Sequence, residues 1–143
     1  MSTLHFDGTG GKGGGVPAAA FILRKGVQRI ARSMPLPPNA TSNEAEFRGL
    51  IEGLREAKKE GMTKLHVVGD SQLIIRFMDG SYKVKEPRLQ TLHREAKELS
   101  QGISIRWEWV GRELNKEADR LCGEASLGNY WRSTDDKKDV AFS

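Results

Sequence analysis

The 143-residue chain is 37% hydrophobic and 29% charged, a balance that suits a folded domain with a core and excludes a disordered or collagen-like chain. No apolar run approaches the length of a membrane span and no secretory h-region is visible near the start, so no membrane partner is expected. A single cysteine, Cys122, excludes an internal disulfide and a cysteine-based metal cluster and points to a cytoplasmic setting, while a net charge of +4 leans toward polyanionic partners.

In chain order, residues 3–7 form the first expected strand, a short apolar run ending in Asp7. Six of the next eight residues, Gly8 to Gly15, are glycine. That loop fails the phosphate-loop pattern because Lys12 is followed by Gly13, and it runs toward another strand with no helix behind it. It is either a glycine-rich hairpin turn or a shelf at Asp7 and Gly8 where a nucleic-acid backbone can come close. The segments 18–25 and 27–34 read as two more strands turning tightly around Gly26. The prolines of 35–42 mark a loop. From 43 to 59 Phe47, Leu50, Ile51, Leu54 and Ala57 recur at helical spacing, and Gly61 closes that helix. Residues 64–70 read as a buried strand ending in Asp70, followed by helices over 71–78 and 86–100. The segment 103–110 alternates strictly, which assigns Ile103, Ile105, Trp107 and Trp109 to one core-facing side of a strand. A last helix covers 115–126. The chain divides into a domain over 1–127 and a polar C-terminal tail over 128–143, and a monomer is expected.

An initial meander followed by strand–helix units implies an α/β fold with a mixed sheet and helices on its faces. Ligands of such sheets gather at the carboxyl ends of the parallel strands, where Asp7 and Asp70 stand. Two further acids look misplaced. Glu46 extends the apolar stripe of its helix, a costly position for a carboxylate unless a cation or water meets it. A helix-dipole role in the first turn is the local alternative, and Glu44 would serve it equally well. Asp119 is equally ambiguous on the last helix, where a nearby Lys or Arg would satisfy it.

Four segments in this order, 6–10 around Asp7, 41–54 around Glu46, 67–75 around Asp70 and 115–121 around Asp119, resemble the type 1 ribonuclease H family. The resemblance covers residues 4–126 and implies a ribonuclease H-like fold with a five-stranded mixed sheet. It implies that Asp7, Glu46, Asp70 and Asp119 hold two divalent ions, magnesium or manganese, and that the chain is a metal-dependent endonuclease cutting the RNA strand of RNA–DNA hybrids. Oxygen-only ligands suit such hard cations, and two of them serve an in-line phosphodiester displacement. By the same resemblance, Asn43 and Gln72 contact RNA through 2′-hydroxyls and base edges, Thr41 helps to hold a DNA phosphate, and Gly8 offers a backbone contact. Local alternatives are a helix cap at Asn43 and loop surface at Thr41. Double-stranded RNA stays open as a second substrate.

Two departures from the family stand out. The loop before Asp119 lacks the histidine many members carry there; Arg112 is the nearest replacement, suited to steadying a phosphate but not to acting as a base. The basic protrusion of many members is also missing, leaving Lys83, Lys85 and Arg88 as a small cluster. The competing function is a catalytically weak nucleic-acid-binding module of the same fold. Four acids where a polyanion must sit argue against it, because they weaken phosphate binding unless metal intervenes.

Overall fold

Burial is deepest in the central strands of the sheet. The computed structural model, which describes residues 2–128 and 132–136, pairs β1 (Ser2–Thr9) antiparallel to β2 (Ala18–Lys25) and β2 antiparallel to β3 (Gln28–Pro35). After α1 (Ser42–Lys59), the chain returns through β4 (Lys64–Gly69), parallel to β1 on its other side. Then follow α2 (Gln72–Met78), α3 (Pro87–Ser100) and β5 (Ser104–Trp109), which pairs parallel to β4 at the sheet edge. Next comes α4 (Lys116–Gly128). The five expected strands and all four expected helices are present.

A sixth strand extends that sheet. β6 (Arg132–Asp136) lies in the segment expected as a polar tail, yet it pairs antiparallel with β3, giving the order β5-β4-β1-β2-β3-β6. Residues 132–136 show no apolar alternation in sequence, and the ladder that pairs them is made by backbone groups that every non-proline residue carries. The rest of that segment, 129–131 and 137–143, lies outside the described residues.

The two faces of the sheet carry different cores. On one, Leu4, Phe6, Phe21 and Leu23 meet the Phe47, Leu50, Ile51 and Leu54 stripe of α1, with α3 packed behind. On the other, small residues of β2 and β3 (Ala18, Ala20, Ala31) let α4 approach with Ala118, Leu121, Cys122 and Ala125. Burial of this apolar surface is the main stabilising term. One core expectation fails. Trp107 is partly buried and packs against the first core, but Trp109 is 47% exposed. Strict alternation overstates burial here because β5 has a neighbour on one side only.

Gly8 and Gly49 explain how close α1 sits. A Cβ on Gly8 would lie 2.2 Å from the Ala45 carbonyl carbon and the Glu46 backbone nitrogen, and one on Gly49 would lie 2.6 Å from the Asp7 backbone carbonyl oxygen. The space in front of Gly8 is therefore filled by helix backbone rather than left open as a shelf. Gly8→Ala should force α1 away from β1 at the point where Glu46 meets Asp7. The expected result is a loss of more than about 2 kcal/mol in a denaturant melt, together with loss of activity; a parent-like melt would refute this account of Gly8.

The glycine loop connects β1 to β2 through a 3-10 turn at Lys12–Gly14. It is pinned to the end of α4, where the Val16 N–H donates to the Ser126 carbonyl (3.0 Å) and the Ser126 hydroxyl donates to the Val16 carbonyl (2.6 Å). Among the described residues, no helix is long and apolar enough to cross a membrane.

Candidate active site

Parallel pairing of β1 and β4 brings their carboxyl ends side by side, so Asp7 and Asp70 emerge at the same end of the sheet. Glu46, in the second turn of α1, joins them because Gly8 admits the helix so closely. One carboxylate oxygen from each of Asp7, Glu46 and Asp70 lies within 4.8 Å of the other two. Three separate elements thus deliver three acids to one spot.

Local chemistry leaves Glu46 no competing task. Thr41 caps α1: its hydroxyl accepts the Glu44 N–H at 3.2 Å, while the Glu44 carboxylate accepts the Thr41 N–H at 2.8 Å. This reciprocal box belongs to Glu44, which also pairs with Arg88. The cap is Thr41, not Asn43, which sits inside the first turn. Glu46 Oε1 is buried without a hydrogen-bond partner.

Crowding and burial act together on these groups. Asp7, only 5% exposed, is pushed up to about 7, first by burial and then by the Asp70 charge, against the Gly8 N–H that donates to its Oδ1 at 2.9 Å. Burial, followed by the charges of Asp7 and Asp70, holds Glu46 well above the ordinary carboxylate range. Asp70 is raised mainly by burial; the Arg112 guanidinium, 3.8 Å from its Oδ2, opposes the shift. An isolated cluster of this kind resists ionisation, and a cation would reverse that. The orphaned Glu46 oxygen and an all-oxygen donor set therefore fit a hard divalent ion.

Asp119 stands at the edge of the cluster. It lies in the first turn of α4, near enough to Asp7 to help raise it, but it is not among the three acids whose oxygens converge. Glu117, two residues earlier, pairs with Arg24 of β2 and Arg29 of β3 and so fixes that first turn against the sheet. Arg112 lies in a short 3-10 turn, Arg112–Leu114, with its side chain 78% exposed beside Asp70. Asn43 and Gln72 begin the helices that flank the acids: Asn43 is one turn before Glu46, and Gln72 opens α2 directly after the Ser71 cap.

One residue of the site escapes sequence reasoning. Asn115 directly precedes α4, where an asparagine reads as a helix cap. Its side chain instead donates from Nδ2 to the Phe6 carbonyl at 2.9 Å, across 109 positions of sequence. No sequence signal links those two positions.

Residues 5–125 match the reverse transcriptase-like family. The chain belongs to that family. Bifunctional protein Rv2228c of Mycobacterium tuberculosis is 45% identical over 97 residues, covering 67% of this chain. The match covers only 27% of that relative, so the chain spans about a quarter of its length. The solved N-terminal ribonuclease H domain of Rv2228c, a fusion with maltose binding protein, superposes with a TM-score of 0.77 at 33% identity, covering 87% of this chain and 92% of that one. Ribonuclease HI of Halobacterium salinarum is 32% identical over 126 residues, 85% of this chain and 62% of that protein. LC11-RNase H1, solved in complex with an RNA/DNA hybrid, is 26% identical with a TM-score of 0.77, covering 88% of this chain and 96% of that one. The expected kinship with type 1 ribonuclease H holds, as does the expected mixed α/β sheet.

Proposed function

We propose that the chain is a metal-dependent endonuclease that hydrolyses the RNA strand of RNA–DNA hybrids. The observation that carries this reading is the convergence of Asp7, Glu46 and Asp70 oxygens within 4.8 Å at the carboxyl ends of two parallel strands. Kinship with ribonuclease HI and with a hybrid-bound RNase H1 supports the substrate class.

Asp7, Glu46, Asp70 and Asp119 would hold two divalent cations, magnesium or manganese. When bound, such a pair supplies the charge that activates a water and stabilises the leaving oxygen of an in-line displacement. The chain's own groups do the rest. The Gly8 N–H orients the Asp7 carboxylate, and Glu117 with its two arginines anchors the turn that carries Asp119. Asn43 and Gln72, which begin the helices flanking the acids, would read 2′-hydroxyls in a wide minor groove, and Thr41 would contact the substrate backbone. Shape and hydroxyl recognition of this kind selects an RNA strand without reading sequence, and double-stranded RNA is a second substrate to test.

Arg112 supplies fixed positive charge beside Asp70 and steadies the scissile phosphate or its product. Arg112→Ala should lower turnover by about 10- to 100-fold, and Arg112→Lys should restore part of it. Steady-state turnover of the three proteins on one hybrid decides the matter, and an Ala variant as fast as the parent would make Arg112 plain surface.

The reading as a whole is tested with labelled RNA–DNA hybrid, double-stranded RNA and double-stranded DNA, each incubated with and without Mg2+ or Mn2+. Metal-dependent cleavage of the RNA strand is expected. Hybrid that is bound but uncut in the presence of metal would favour the binding module instead.

A further inference from the structure

Asn115 is 1% exposed and sits where three parts of the site meet. From its cap position it accepts the Asp119 N–H on its backbone carbonyl at 3.1 Å, the first turn-closing bond of α4. Its own N–H donates to the Arg112 carbonyl at 2.9 Å, closing the turn that carries Arg112. One side-chain hydrogen goes to the Phe6 carbonyl, the residue before Asp7, and the amide also reaches the Asp70 carboxylate. A cap asparagine ordinarily turns its side-chain oxygen back onto its own helix. Here Oδ1 is buried without a partner, and the amide nitrogen donates across to β1 instead. The local bond has been given up for a long-range one.

We propose that Asn115 is a positioning residue for the metal site. It locks the ends of β1 and β4 and the start of α4 into one frame, so that Asp7, Asp70 and Asp119 are held at fixed separations before any ion arrives. The assignment rests on the metal-site reading given above. It follows from donor geometry. The amide donates to the Phe6 carbonyl and favours the ionised Asp70 carboxylate, roles that no apolar or acceptor-only side chain of the same size could fill. Partners of this kind behind a ligand shell set ligand orientation, and their loss weakens metal binding without touching the ion.

The test is calorimetric titration of Mn2+ into the full chain, with parent, Asn115→Ala, Asn115→Ser and Asp7→Asn compared, alongside thermal melts with and without metal and steady-state kinetics on a hybrid. Asn115→Ala should bind Mn2+ about 10- to 100-fold more weakly, with a smaller metal-induced rise in Tm, a lower kcat and a KM for hybrid within about twofold of the parent. Serine keeps one donor and should fall between the two, and it serves as the reporter if the alanine protein does not fold. An Asn115 variant that loses stability in the metal-free state while binding Mn2+ as tightly as the parent would overturn the proposal, leaving Asn115 a structural residue only. If Asp7→Asn also binds Mn2+ like the parent, the metal-site reading fails first, and the positioning role fails with it.

Discussion

Asp7→Asn and Asp70→Asn should each reduce hybrid cleavage by roughly three orders of magnitude or more, about 4 kcal/mol of transition-state stabilisation. Both side chains come from the ends of adjacent central strands, and each contributes an oxygen to the same 4.8 Å cluster. An amide keeps the shape and removes the charge, so the loss reads chemistry rather than packing. The metal-free variants should also be more stable than the parent, because each substitution removes one member of a set of repelling, buried carboxylates. The paired measurement is turnover in saturating Mg2+ and Tm in chelator. Parent-like turnover in either variant would sink the assignment, whereas an unfolded variant would show the carboxylate to be needed structurally.

The metal-free parent should lose stability as pH rises from about 4 to about 7. Asp7 is raised to about 7 in the folded chain, from an ordinary value near 4. The native state therefore holds that proton more tightly than the unfolded state. The group costs nothing below the unfolded pKa, and its penalty grows as pH climbs toward the folded pKa, by about 1.4 kcal/mol for each pH unit crossed. Glu46, also raised by burial and by Asp7 and Asp70, adds to the penalty in the same direction. Divalent metal pairs with the ionised acids and should flatten or reverse the slope. Thermal melts across a pH series in chelator and in Mg2+ will show this, and a metal-free Tm that rises between pH 5 and 7 would contradict the crowding of these acids.

The sequence by itself determined a great deal. Periodicity placed every central strand and all four helices, because the buried stripe of α1 and the apolar runs of β1 and β4 leave few other ways to hide their side chains. It also singled out the four acids, since Asp7 and Asp70 end strands and Glu46 interrupts an apolar row where a carboxylate needs a reason. Other features depend on contacts between distant segments, to which local patterns are blind. Polar residues 132–136 become a strand only because β3 offers an unpaired edge. Trp109 is exposed because β5 ended up at the other edge. The capping task went to Thr41 and Glu44, which frees Glu46, and Gly8 is small because α1 lies against it and not because a ligand does. Asn115 finds its partner at Phe6 through tertiary folding alone. Local physics decides where a helix begins and which face it buries; only the assembled sheet decides which acids come within a few ångströms of one another and what holds them there.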